Sequence, residues 1–264
     1  MTIPAPPRDR PVLRLNPATI TMLGVAALAW AGVIAYVRDM GNGAGTMGLS
    51  LGEFMTMWSL MMVAMMLPAV APVATLYART ITTDRAARLA LFVAGYLVAW
   101  ALTGLPIFGV LRVVDHLVSN SDAAMRNVAA TALIVAGVYQ LTPLKDRCLR
   151  HCRSPLGQLL RYAQVKGPLR DFRVALHHAG YCVGCCWALM VLFVAFGVMS
   201  VWAMVVLAAL VFAEKVARRG ELITRLSGMA FVVLAALVLV SPRVADAVVP
   251  DTGSMPDGSM QMQV

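Results

Sequence analysis

Long, uninterrupted apolar stretches constrain this chain more than any other feature. In a bilayer, about twenty consecutive apolar residues satisfy their backbone polar groups by forming a helix. Seven such stretches can be marked out, at about Ala18 to Val37, Phe54 to Ala78, Leu89 to Val113, Ala124 to Leu144, Tyr181 to Gly197, Ser200 to Val216 and Leu226 to Val240. The tract from Tyr181 to Val216 is too long for one helix and divides at Gly197 to Ser200, while Pro242 ends the last stretch. The expected fold class is an all-α polytopic membrane protein of about seven transmembrane helices. Residues 1–17 read as a cytoplasmic lead-in, 18–241 as the transmembrane domain and 242–264 as a methionine-bearing extracytoplasmic tail. No convincing small-residue cleavage site follows the first stretch, so it reads as a retained helix and not a signal peptide.

Composition excludes a soluble domain. Only 13% of the 264 residues are charged and 60% are hydrophobic, whereas soluble domains carry about a quarter charged residues. The net charge of +9 could suggest a nucleic-acid partner. The basic residues, however, fall in short runs between apolar stretches and form no continuous face. Arg79, Arg85 and Arg88 follow the second stretch, a group from Lys145 to Arg173 follows the fourth, and Lys215, Arg218, Arg219 and Arg225 follow the sixth. The alternate loops hold only Arg38, Arg112 and Arg126. By the positive-inside rule the N-terminus is cytoplasmic and the C-terminus lies across a bacterial inner membrane. The lipid bilayer is the partner this implies, with no nucleic acid.

Methionine is the first chemical signal. Met57, Met61 and Met65 form an i, i+4, i+8 row on the second stretch, and Met62 and Met66 continue a second row begun at Met55. Pro68 and Pro72 lie near the first row's face and predict a kink that frees backbone carbonyls. A thioether is a soft, neutral donor that favours Cu(I). Methionine is also a flexible apolar filler, which accounts for many such stripes. Met40 and Met47 in the first outer loop, and Met255, Met260 and Met262 in the polar tail, have no evident packing role and suit capture of a soft ion.

Cysteine is the second signal. All five cysteines fall in two clusters, Cys148 and Cys152 in the loop after the fourth stretch, and Cys182, Cys185 and Cys186 at the start of the fifth. Helical spacing would put Cys148 and Cys152 on one face, and Cys182 with Cys185 or Cys186 on another. Both clusters lie on the cytoplasmic side, where thiols stay reduced and can act as ligands. Two or three thiolates suit Cu(I), and four suit zinc. His151, His177 and His178 are auxiliary candidates, each also readable as an ordinary loop or interfacial histidine. Glu53 at the outer mouth could attract cations, and Glu214 beside Lys215 reads as an inner-leaflet ion pair or a coupling group. Trp58 to Met61 resembles Trp187 to Met190, as a 3+3 inverted repeat plus one added N-terminal helix would give.

Three blocks carry a family resemblance: MWSLMMVAMMLPAVAP from Met57, YQLTPLKDRCLRHCRSPLG from Tyr139, and GYCVGCCWALMVLFVAFGVMSVWAMVVLAALVFAEK from Gly180. Together they resemble a bacterial family of predicted metal-binding integral membrane proteins catalogued as a domain of unknown function. The resemblance implies the membrane fold and a metal site, and it leaves the activity open. No phosphate loop, nucleotide signature or Ser-His-Asp arrangement points to an enzyme. The expected function is binding of a soft metal, Cu(I) first, in transport or in delivery to a metallochaperone or larger membrane complex. Two rivals remain. One is a thiol-disulfide oxidoreductase using Cys182 and Cys185, and the other is an accessory subunit stapled by zinc or an iron–sulfur cluster.

Overall fold

In the computed structural model, residues 16–40, 48–118, 122–153, 162, 165, 167, 169–198 and 200–249 are described. Among them the regular elements are α1 (Pro17–Met40), α2 (Leu51–Arg79), α3 (Arg85–Leu102), α4 (Gly104–Val118), α5 (Asp122–Gln140), α6 (Pro143–Arg153), α7 (Arg170–Phe196), α8 (Val201–Val216), α9 (Gly220–Val240) and α10 (Pro242–Val248). Residues 1–15, Met47, and the tail from residue 250 with Met255, Met260 and Met262, lie outside the described residues.

Among the described residues, five spans are long and apolar enough to cross a membrane: Pro17–Arg38, Leu51–Arg79, Arg85–Leu117, Arg170–Phe196 and Gly220–Val240. A sixth is reached if α5 and α6, bent by 65°, count as one. This falls short of the seven expected, for two physical reasons. The 16 residues of α8 rise only about 24 Å against a hydrocarbon core of about 30 Å. The fourth stretch does not run straight to Leu144, because Leu141 and Thr142 break it and Pro143 opens a new helix.

The fifth helix also starts earlier than expected, at Arg170 instead of Tyr181. Its polar first turns still bury Val174, Ala175, His178 and Ala179, spaced as one helical face. The division after it falls where expected. Gly197, at φ +83°, ends α7, and the Ser200 hydroxyl caps α8 by accepting from Ala203 N at 3.3 Å. Pro68 and Pro72 leave α2 unbroken from Leu51 to Arg79.

Burial separates inner helices from outer ones. More than half of the spanning window is buried in α2 (56%) and α7 (61%), against 22% in α1, α3–α4 and α9. The outer helices present Leu28, Val113, Val233 and Val240 to the surroundings, as helices in lipid do. At one end α2, α3 and α7 are clamped together. Arg88 donates to both oxygens of Asp171, at 2.9 and 3.0 Å, and the Tyr77 hydroxyl donates to the same carboxylate. At the other end Trp58 Nε1 donates to Trp100 O and Thr103 Oγ1, both at 3.3 Å. Trp58 is buried and Trp187 is 38% exposed, so the two similar tetrapeptides stand in unlike surroundings.

Helices α5 and α9 cross where Gly137 meets Gly228. A Cβ on Gly137 would sit 2.8 Å from Gly228 O, which only glycine permits. Gly180, on the open side of α7, has nothing within 4 Å. The same substitution should therefore act with opposite sign at the two positions. Gly137→Ala is expected to destabilise by about 1 kcal/mol after its gain in helix propensity, and Gly180→Ala to stabilise slightly. Thermal unfolding in detergent checks both.

Candidate metal centre

One side of α7 carries His178, Cys182, Cys185 and Cys186, at spacings that share a helical face. The three Sγ atoms lie within 4.8 Å of one another, with Cys185 and Cys186 at 3.3 Å. The Cys152 Sγ approaches Cys185 Sγ at 3.9 Å, so the two cysteine clusters meet. A metal held by sulfur at about 2.3 Å needs S–S separations of about 3.8 Å (tetrahedral) to 4.6 Å (linear). The observed spacing reaches that range with small side-chain shifts. The group also lies deeper than expected, about three turns inside α7 and not at its start.

The sequence of α6 explains how Cys152 arrives there. Lys145, Leu149 and Cys152 recur at i, i+4 and i+7 and are its buried residues. Lys145 Nζ donates to Glu214 Oε2 at 2.7 Å and to the carbonyl of Cys185, while Gln140 Nε2 donates to Glu214 Oε1 at 2.6 Å. Lys145 is therefore a buried structural charge and not a loop cation. Glu214 pairs with it rather than with its neighbour Lys215. The Lys215 ammonium instead donates to Cys182 Sγ at 2.9 Å, and the Tyr96 hydroxyl lies 3.0 Å from the same sulfur. An ammonium has only donors to offer, so this sulfur accepts.

The remaining candidates are placed differently. Cys148 is half-buried and packs against Gly184, where a Cβ would meet its sulfur at 3.1 Å. It is not part of the three-sulfur group, so of the α6 pair only Cys152 reaches it. His178 Nδ1 is hydrogen-bonded to the Tyr162 hydroxyl at 3.1 Å, and its ring lies near Phe92 and Tyr96. Burial pushes the Tyr162 phenol above its ordinary range, so it stays neutral. His151 stacks on Tyr181 with ring centroids 3.6 Å apart, and His177 packs edge-on against the same ring.

Met57, Met61, Met62, Met65 and Met66 are all buried in the core. Packing alone would bury them, so burial does not by itself make them ligands. Depth is more informative. Met66 and Cys182 each lie eleven residues from the Tyr77–Asp171 contact, which puts both about 16 Å in. Glu53 closes a capping box with Ser50, accepting from its N–H at 2.9 Å and its hydroxyl at 2.8 Å. The S-x-x-E spacing was the signal for that role. Lys145, Lys215, Tyr96 and Gln140 complete the surroundings of the sulfurs. For Lys215 the signal was an ionisable group within an otherwise apolar tract, as at Glu214; Lys145, in a run of charged residues, carried no such signal.

Residues 55–238 match the family model described as PpoB2, copper chaperone. That stretch contains the methionine rows, all five cysteines and the Lys145–Glu214 pair. No curated protein and no solved structure matches the chain.

Removing one partner of a buried ion pair strands the other. Lys145→Met is expected to cost about 3 kcal/mol, and Lys145→Met with Glu214→Met to recover most of it. Thermal unfolding of both variants, with loss of recovery in the double variant as the contrary result, checks the pair.

Proposed function

The chain belongs to the PpoB2 copper chaperone family, and from that premise we propose that it is a membrane-embedded carrier that binds Cu(I) and passes it on. One observation carries the reading: Cys182, Cys185 and Cys186 of α7 lie within metal-bridging range of one another, and Cys152 of α6 comes to 3.9 Å from Cys185. Thiolates are the ligands Cu(I) prefers, and neutral thioethers bind it more weakly. Lys215 beside Cys182 gives the site a balancing charge. Cu(I) on two thiolates is singly negative, and one ammonium neutralises it where an unpaired charge would be costly.

In this scheme the tail and outer-loop methionines collect the ion. Met57, Met61 and Met65 then conduct it along α2 to the level of the cysteines, with Met62 and Met66 beside them. The gradient from thioether to thiolate favours movement toward the cysteine end. That end faces the cytoplasm in the topology proposed from the basic loops, with α8 as a short seventh crossing. A soluble metallochaperone or a larger membrane complex receives the ion. The enclosed, exclusively sulfur ligand set favours a binding protein over an enzyme.

The first test is the metal content of protein purified anaerobically in detergent. Wild type is compared with Cys182→Ser/Cys185→Ser and with Met61→Leu/Met65→Leu. The expected result is copper in the wild type, lost in the cysteine variant and slow to load in the methionine variant. Zinc or iron that ignores the methionines would favour the metal-stapled subunit. No metal, with a titratable disulfide instead, would sink the copper reading and favour the oxidoreductase.

Lys215→Met is expected to weaken Cu(I) binding at least tenfold in competition with a chelator, and Lys215→Arg to retain it. A balancing charge of this kind is worth about 1.4 kcal/mol or more.

A further inference from the structure

The side of α6 turned away from the sulfurs carries Arg150 and Arg153. With Arg218 and Arg219 of the turn between α8 and α9 they line an open cavity of about 490 Å³, completed by Glu221 and Leu222. Arg153 is fixed in the wall, because its Nη2 donates to Ala217 O at 2.6 Å and to Arg218 O at 3.3 Å. Arg150 is steered by a bond from Nε to Asp146 O at 3.3 Å. Among the described residues, four arginines and one carboxylate, Glu221, line this open cavity and give it a net positive wall.

The charge bias of membrane loops asks only that cations lie on one side. It does not require arginines from two distant segments to converge on one cavity. A guanidinium presents a planar fork of donors that matches phosphate oxygens. α9 begins at Gly220 in the same wall, adding the partial positive charge of a 21-residue helix's N-terminus. Leu222, 47% exposed, gives the cavity an apolar edge.

We propose that this cavity binds a phosphate-bearing anion, either the phosphodiester of an anionic phospholipid or free inorganic phosphate. The occupant would bridge α6 to the α8–α9 turn, bracing the helix that holds Cys152. The proposal does not depend on which metal, if any, the sulfurs bind.

The test uses the full chain, delipidated in detergent, as wild type, Arg218→Gln/Arg219→Gln and Arg225→Gln. Arg225 is exposed on α9 and does not line the cavity. Each protein is offered phosphatidylglycerol or phosphatidylcholine in mixed micelles, read by native mass spectrometry. Each is separately offered inorganic phosphate, read by equilibrium dialysis. Wild type and Arg225→Gln should bind a phosphate-bearing probe, and the double variant should bind it about thirtyfold more weakly. Retention of phosphatidylglycerol over phosphatidylcholine without phosphate uptake identifies the lipid headgroup. Saturable phosphate uptake that displaces phosphatidylglycerol identifies the free anion. If the double variant aggregates, Arg150→Gln replaces it with the same expectation of weakened binding. Failure of the wild type to bind any probe, or equal binding by the wild type and the cavity variant, overturns the proposal.

Discussion

Lys145 and Glu214 meet at 2.7 Å with almost no exposure of either side chain, and the geometry of the sulfur group depends on that contact. An ammonium and a carboxylate are each expensive to bury, and each makes the other tolerable. Gln140 takes the second carboxylate oxygen and the Cys185 carbonyl takes another ammonium proton. Four elements (α5, α6, α7 and α8) are thereby fixed at one point. With Lys145 held, the helical repeat of α6 brings Cys152 round to Cys185 two turns later. A slip of α6 by one residue would expose the lysine to apolar surroundings and withdraw the cysteine together.

The two soft-ligand systems divide along electrical lines. The thioethers of α2 are neutral and sit in a core that contains little else that is polar. The thiols of α7 can become anionic, and they are the ones accompanied by ammonium groups, at Lys215 directly and at Lys145 through the Cys185 backbone. Aromatic hydroxyls complete the arrangement, with Tyr96 at Cys182 and Tyr162 at His178. Neutral ligands need no counter-ion, whereas charged ones in an apolar interior must have one. This asymmetry follows from solvation and would hold for any soft cation.

Much of this was legible in the sequence, because hydropathy and helical spacing are local properties. The all-helical class, the division at Gly197 and the sharing of a face by Cys182, Cys185 and Cys186 follow from residue order alone. The meeting of Cys152 with Cys185 does not, since it depends on the 65° bend between α5 and α6. Hydropathy also misplaced Lys145 among the loop cations, because burial of a charge depends on a partner 69 residues away. It began α7 late for a related reason. His177, His178 and Arg173 look like loop residues to a hydropathy scale, although a single helical face buries His178 with Ala175 and Val174. The spans beyond the five shown turn on helix length and bending, to which a count of apolar residues is blind.

The bend after Gln140 also bears on biosynthesis. A chain made from its N-terminus presents α6 before α7 and α8 exist. Until Glu214 emerges, Lys145 has no anion to meet, and α6 is a strongly polar helix with five charged residues in eleven. The arrival of α8 supplies the anion, and the Lys145–Glu214 contact holds α6 where Cys152 reaches Cys185 of α7. A nascent chain stalled before α8 would lack Glu214, and with it the contact that holds Cys152 beside Cys185.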